Sequence, residues 1–171
     1  IKLCTIADRH MHRLRALSDP APLIFALTIR AKGANNSADF PTARARIDEA
    51  LTLAEATGDG NSIAVVKSVK MDIVNDQADW NIEDVPRLFE ETRAYAEQGN
   101  DPHLAQLRLY EMAAHYRQTG NIPQALAMAD TLIQLGTTRN DSRARAFGWW
   151  VRASISAMIE NYPQAEQEAL E

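Results

Sequence analysis

The stretch NIPQALAMAD at residues 121–130 recurs in altered form 40 residues later, as NYPQAEQEAL at residues 161–170. The two stretches share Asn, Pro, Gln and two Ala at the same places. Proline two residues after Asn suits the first turn of a helix, where its missing N–H costs no hydrogen bond. Similarity within one chain at a fixed period is typical of repeat proteins. The sequence therefore predicts tandem helical units.

Two interleaved sets of markers extend this repeat through the chain. One set consists of Asp19, Asp59, Asp101 and Asp141, which are spaced by 40, 42 and 40 residues. Aspartate before Pro or a small polar residue begins a helix, because its carboxylate accepts hydrogen bonds from the N–H groups of the first turn. The other set has the same spacings and consists of Phe40, Trp80, Ile122 and Tyr162. Each unit is thus predicted to contain two helices.

Apolar residues recur at helical spacing inside these units, and no segment alternates with the period of two that a strand requires. The sequence predicts an all-α fold. We expect nine helices, near residues 2–17, 20–35, 41–57, 61–78, 83–98, 102–119, 123–136, 142–160 and 163–171.

Charge and composition limit the functions that the chain can perform. The net charge is −5, and no basic run could neutralise a row of phosphates, so we expect no direct contact with nucleic acid. No apolar run is long enough to span a bilayer. The single cysteine, Cys4, cannot form an internal disulfide, which favours a cytoplasmic protein. Because the chain begins with Ile and in the middle of a repeat, we expect a fragment of a longer protein.

The markers and small residues of these units resemble the tetratricopeptide repeat (TPR). The third unit, LYEMAAHYRQTGNIPQALAMA, matches the pattern at Leu109, Met112, Ala113, Tyr116, Gly120, Asn121, Ile122 and Ala125. The fourth unit matches at Trp149, Ala153, Tyr162 and Ala165, with Glu160 in place of the usual Gly. The first unit keeps Ala31, Phe40 and Ala43, and the second keeps mainly Trp80.

The period of about 40 residues exceeds the usual TPR length. It is similar to the longer repeats of bacterial regulators, among them maltose-activator-like transcription factors, peptide-sensing regulators and TPR-bearing diguanylate cyclases. The resemblance implies a right-handed α-α superhelix, although another α-solenoid would share its period. It implies one domain over 1–171: the second helix of a preceding repeat (1–18), repeats at 19–58, 59–100 and 101–140, and a partial repeat (141–171). Ala113 and Ala125 would meet where the two helices of one unit cross, as would Ala153 and Ala165.

In a TPR superhelix the first helix of each unit lines the concave face, so the resemblance implies a binding surface there. The residues predicted to contact a protein or peptide partner are Lys32, Asn35, Asn36, Asp72, Asn75, Asp76, Tyr110, Arg117, Gln118 and Trp150. The remaining exposed positions of this face would be Thr28, Ser68, Ala114, Ser154 and Met158. The Asn side chain can donate a hydrogen bond to a peptide backbone and accept one from it, and Tyr and Trp often contribute most of the binding energy of interfaces. Lys32 and Asn36 have the spacing of a carboxylate clamp, but no Lys and Arg pair follows two units later, so a chaperone tail is not expected.

Simpler and competing interpretations remain open at this point. The Asn and Asp residues could be merely solvated, and Trp149 and Trp150 could be core residues or the contact of a homodimer. Cys4, Asp8 and His12, with His10 nearby, share a helical face and could bind a transition metal, but a structural role is expected and no metal or cofactor is predicted. His103 and His115 lie about 18 Å apart along one helix and cannot share an ion. No catalytic motif is present, so an enzyme is not expected.

Overall fold

The computed structural model describes residues 9–77, 82–98 and 102–170, and every regular element within these ranges is an α-helix. The described part of the first helix, α1, covers residues 9–14. The others are α2 (Ala21–Asn35), α3 (Phe40–Thr57), α4 (Gly60–Asp76), α5 (Asp84–Gln98), α6 (Pro102–Gln118), α7 (Ile122–Thr138), α8 (Ser142–Met158) and α9 (Tyr162–Ala169). The all-α prediction is confirmed for these residues. From α2 onward, the predicted helix ends agree with the observed ends to within two residues, whereas α1 ends three residues earlier than expected.

Three of the aspartates that mark the repeat accept hydrogen bonds at helix starts, Asp59 and Asp141 as N-caps and Asp19 from one residue before the N-cap, Pro20. The Asp19 carboxylate accepts a hydrogen bond from the N–H of Ala21 at 2.9 Å, where α2 begins. Asp59 accepts from the N–H of Ser62 at 3.0 Å, and Asp141 accepts from Arg143 at 2.9 Å. Phe40, Ile122 and Tyr162 are the first residues of α3, α7 and α9, and Asp101 and Trp80 lie outside the described residues. The described aspartates therefore lie at helix starts with the predicted spacing.

The turns that end the helices repeat the same backbone geometry. At four of them the residue at the turn has a left-handed φ: Ala38 at 57°, Gly120 at 77°, Asn140 at 52° and Glu160 at 60°. The next residue then donates its N–H to a carbonyl five positions back, as in a Schellman motif: Asp39 to Ala34, Asn121 to Tyr116, Asp141 to Gly136 and Asn161 to Ser156. Glu160 takes the conformation of Gly120 without being glycine. The shared turn thus repeats along the chain even where its sequence has diverged.

The chain divides into two compact units, Ile1–Asn100 and Asp101–Glu171. In the first unit, α2 packs on α3, α3 on α4 and α4 on α5, and α2 also contacts α4. The buried core around these contacts includes Leu27, Ala31, Ile47 and Ile73, all fully buried. The helices therefore pack as sequential hairpins, with the first helices of two successive hairpins in direct contact.

The second unit repeats this arrangement of contacts. Here α6 packs on α7, α7 on α8 and α8 on α9, and α6 also contacts α8. Ala113 and Ala125, which are expected at the helix crossing, are fully buried in one cluster with Val151. Gly148 lies where α8 crosses α7, and a Cβ atom there would come within 2.6 Å of the carbonyl oxygen of Ala129. Small residues thus allow close helix contact in this unit.

None of the helices in the described ranges combines the length and the apolar character that crossing a membrane would require.

Candidate binding surfaces

Two side-chain pairs show how α2 and α4 lie against each other. Lys32 of α2 forms an ion pair with Asp72 of α4, and the amide Nδ2 of Asn35 donates to Oδ2 of Asp76 at 2.5 Å. Each pair joins residues 40 or 41 positions apart, near the carboxyl ends of both helices. A cavity near the amino ends is lined by Phe25 of α2 together with Val65 of α4, again 40 positions apart. The two helices therefore run parallel, in a register that matches the repeat.

The expectation that the asparagines of this face are exposed is wrong for two of them. Asn35 is 6% exposed and Asn75 is 3% exposed, and Asn35 is covered where α2 packs beside the end of α4. Asn35 also accepts a hydrogen bond on its side-chain oxygen from Nε2 of Gln77 at 2.7 Å. Asn36 and Asp76 are exposed, and Lys32 and Asp72 are partly buried. Four of the predicted contact residues thus form bonds between α2 and α4.

Three more positions of the predicted face are covered as well. Thr28 and Ser68 are buried, and their hydroxyls donate to the carbonyls of Ile24 and Ala64, one turn earlier in their own helices. Ala114 is also buried. The prediction that these three short side chains are exposed is therefore wrong.

An apolar groove between the amino-terminal halves of α2 and α4 was not predicted from the sequence. Its cavity has a volume of about 310 Å³, and its walls include Phe25 and Ile29 of α2 and Val65 and Val69 of α4. We call these four residues the apolar groove. The Phe25 side chain is 68% exposed, which is unusual for a large apolar residue on a helix. The sequence did contain a signal for this groove. Phe25 and Ile29 are four residues apart on α2, and Val65 and Val69 are four residues apart on α4, so each pair lies on one helical face.

The apolar groove and the polar pairs lie on the same face of the two helices. On α2 and its C-cap this stripe is Phe25, Ile29, Lys32 and Asn36, and on α4 it is Val65, Val69, Asp72 and Asp76. Phe25, Asn36 and Asp76 are exposed, and the other five are partly buried. Steps of four, three and four residues keep side chains on one face of a helix. The stripe is therefore apolar at the amino ends of the helices and polar at their carboxyl ends.

In the second unit, aromatic rings occupy the corresponding face. The ring of Tyr110 lies 4.7 Å from that of Phe147 and 5.7 Å from that of Trp150, measured between centroids. The guanidinium of Arg117 lies 5.4 Å from the centroid of the Trp150 ring. Trp150 is 48% exposed. The structure therefore brings together three predicted contact residues and adds Phe147, while Gln118 is exposed at the end of α6.

A second cavity, of about 430 Å³, lies between α8 and α9 and is lined by Trp149, Arg152 and Glu168 among others. Glu168 accepts hydrogen bonds from Arg152 at 3.1 Å, from Ser156 at 2.7 Å and from Gln164 at 3.0 Å. Burial opposes ionisation of this carboxyl, but the hydrogen bonds outweigh burial and hold the pKa of Glu168 below its ordinary value. The polar walls of this cavity thus bond to one another and hold α9 on α8.

We expect Glu168→Ala to lower the free energy of unfolding by about 1–3 kcal/mol, because the buried Ser156 hydroxyl and the Arg152 guanidinium each lose a bond. The effect should be concentrated in α9, where hydrogen exchange should become faster. Glu166→Ala, an exposed change on the same helix, is the control and should leave exchange nearly unaltered. Equal exchange in the two variants would show that Glu168 does not hold α9.

His115 of α6 is buried, with 7% of its surface exposed, and its Nδ1 has no hydrogen-bond partner among the residues that the structure describes. Burial lowers the pKa of His115 below its ordinary value, because removal from water disfavours the charged imidazolium. The imidazole is therefore neutral in the folded protein at pH 7, and it lies beside the ring of Tyr116 at 5.8 Å between centroids.

The lowered pKa of His115 predicts a pH dependence of stability. As pH falls below about 6.5, His115 takes up a proton in the unfolded chain but not in the folded one, so protonation favours unfolding. Stability should therefore decrease as pH falls from 6.5 towards the folded-state pKa. In His115→Gln this decrease should be smaller between pH 6.5 and 5.5, as measured by urea unfolding. An unchanged slope would contradict the prediction, and His12→Gln, at an exposed histidine, provides the comparison.

No group of three or more His, Cys, Asp or Glu side chains that could hold a metal ion occurs in the part of the chain that the structure describes. His10 and His12 are exposed on α1. Cys4 and Asp8, the other residues of the metal site weighed from the sequence, lie outside the described ranges.

Comparison of the sequence with models of known protein families gives no match, and comparison with curated proteins gives none either.

Proposed function

We propose that this chain is a protein- or peptide-binding scaffold built as a TPR-like, right-handed α-α superhelix. The observation that carries the proposal is the parallel pair of first helices, α2 and α4, with one continuous stripe of exposed and partly buried side chains along them. The sequence repeat of 40 to 42 residues and the repeated Schellman turns support the superhelix. The apolar walls of the cavity between α2 and α4 favour a binding role, because apolar side chains of a partner can pack against them.

The partner is a protein or peptide, or another domain of the same polypeptide, and no cofactor is required. A net charge of −5 disfavours nucleic acid as a direct partner. The resemblance to bacterial repeat proteins supports a regulatory role, as the sensory or interaction module of a larger bacterial signalling protein such as a transcriptional regulator or a diguanylate cyclase-like protein. The lone cysteine supports a cytoplasmic location.

Selection from a random nonapeptide library displayed on phage tests this proposal directly. The 171-residue chain should enrich a family of related peptides, and synthetic members of that family should bind with one-to-one stoichiometry in fluorescence anisotropy. A helical protein without repeats serves as the control target. If enrichment on the chain does not exceed enrichment on that control, the peptide-binding proposal is wrong.

A second candidate function, homodimerisation, is favoured by exposed apolar side chains in the middle of α8, at its end and at its C-cap. Trp150 is 48% exposed, Met158 56% and Ile159 63%, and such residues commonly lie in protein interfaces. Light scattering across a dilution series separates the two functions. A dimer that dissociates on dilution, and that Ile159→Ser weakens, would support self-association, whereas a monomer at every concentration would exclude it.

A further inference from the structure

The stripe along α2 and α4 differs in charge between its two ends. At the amino ends lies the apolar groove, and at the carboxyl ends lie Asp72 and the exposed Asp76. Because α2 and α4 are parallel, the negative ends of both helix dipoles also point towards Asp76. A cationic group is therefore favoured at this end of the stripe, and an apolar group is favoured at the other.

The nearby cations do not neutralise Asp76. Lys32 forms its ion pair with Asp72, and Arg44 donates from Nε to the side-chain oxygen of Gln77 at 2.8 Å. The hydrogen bond that Asp76 accepts comes from the uncharged amide of Asn35. Among the described residues, no lysine or arginine forms an ion pair with Asp76. Asp76 is thus an exposed acidic side chain that can accept an ion pair from a ligand.

The lysines of α4 bond to acidic side chains away from the stripe. Lys67 forms ion pairs with Glu91 and Glu55, and Lys70 forms one with Asp48. Both lysines lie more than a third of a helical turn from the line that joins Val65, Val69, Asp72 and Asp76. The stripe itself therefore carries a net negative charge at its carboxyl end.

The length of the stripe limits the ligand that could contact both ends. Val65 and Asp76 are eleven residues apart on α4, which corresponds to about 16 Å along the helix axis. An extended peptide advances about 3.3 Å per residue, so roughly five residues span this distance. A peptide that places an apolar side chain in the groove can therefore reach Asp76 with a basic side chain about five residues away.

We propose that the stripe along α2 and α4 binds an extended peptide segment of a partner protein that carries an aliphatic or aromatic residue and, about five residues away, lysine or arginine. This inference rests on the proposed peptide-binding function. It identifies the kind of ligand from the apolar groove and the charge of Asp76. The apolar side chain lies against Phe25 and Val65, and the basic side chain forms an ion pair with Asp76.

The peptides selected by phage display provide the probes. The enriched sequences should contain an apolar and a basic residue about five positions apart, and a synthetic, fluorescein-labelled consensus peptide should bind more weakly as NaCl is raised. Replacing its basic residue with Glu should weaken binding by at least about fivefold, since attraction to Asp76 becomes repulsion.

Two exposed substitutions locate the peptide on the protein. Phe25→Ser should weaken binding about tenfold, and Asp76→Asn about two- to fivefold, the range expected for an exposed ion pair. The matched controls, Leu170→Ser and Glu90→Gln, change exposed side chains elsewhere and should leave affinity unchanged. Thermal unfolding followed by circular dichroism establishes that each variant is folded.

The possible outcomes separate failure of this inference from failure of the proposed peptide-binding function on which it rests. Selected peptides that are acidic, or peptides whose binding is lost in Trp150→Ser but not in Phe25→Ser, would overturn the inference while leaving peptide binding intact. If no peptide is enriched, the proposed function fails and the inference fails with it.

Discussion

Leu27→Ala is expected to lower the free energy of unfolding by about 2–5 kcal/mol, the range for removing a large buried aliphatic side chain. Leu27 has no exposed surface and lies on α2 within the same core cluster as Ile47 and Ile73. Since α2 contacts both α3 and α4, the cavity left by the change would weaken two helix contacts together. Urea unfolding monitored by circular dichroism measures the effect.

The control for this prediction is Leu17→Ala, which removes the same atoms from a side chain that is 51% exposed. We expect the control to change the free energy of unfolding by less than about 1 kcal/mol, because surface substitutions rarely cost more. Hydrogen exchange should show the loss of protection in α2, α3 and α4. If the two variants were equally stable, Leu27 would not belong to the core described above.

Gly148→Ala is expected to lower the free energy of unfolding by about 2–3 kcal/mol, near the upper end of the usual cost of overpacking. A Cβ atom at this position would lie 2.5 Å from Cγ1 of Ile133 and 2.6 Å from the backbone oxygen of Ala129. Real Cβ atoms do not approach other atoms so closely, so α7 and α8 would have to separate.

The direction of the Gly148 effect distinguishes packing from helix propensity. Alanine is favoured over glycine inside a helix by about 1 kcal/mol, so an isolated α8 would be stabilised by the change. Ala146→Gly, at an exposed position of the same helix, is the control and should cost about that amount. A variant Gly148→Ala that unfolds at higher urea than the unmodified protein would contradict the close contact of α7 and α8.

The helix positions could be predicted from the sequence because their signals are local. Asp19, Asp59 and Asp141 cap helices through hydrogen bonds that reach only two or three residues ahead, so the helix start is visible in a short stretch. The turn at Glu160 was harder, because its left-handed φ is imposed by the repeated Schellman motif and not by a glycine.

The candidate site could be predicted only in part, because its bonds join distant residues. The resemblance placed Lys32, Asn35, Asp72 and Asp76 on one face, but it could not show that these side chains bond to each other across 40 or 41 residues. The burial of Asn35 follows from the packing of α2 beside α4. Such lateral packing depends on how closely the two helices approach, and helical periodicity alone does not specify that distance.

The apolar groove was missed for a related reason. Phe25 and Val65 carry the apolar character expected of core residues, and sequence alone favours burying such side chains. In the structure they lie one or two turns before the polar positions that the resemblance identified, on the same stripe. Extending the predicted face towards the amino ends of α2 and α4 would have included them.

Chemical cross-linking tests the parallel arrangement of α2 and α4 most directly. In a Cys4→Ser background, a short bis-maleimide reagent should join cysteines placed at Phe25 and Val65, and likewise cysteines placed at Asn36 and Asp76. Cysteines at Phe25 and Asp76 should remain unlinked, because they are offset by about 16 Å along the helix axis. Efficient linkage of this last pair, with no linkage of the first two, would contradict the account.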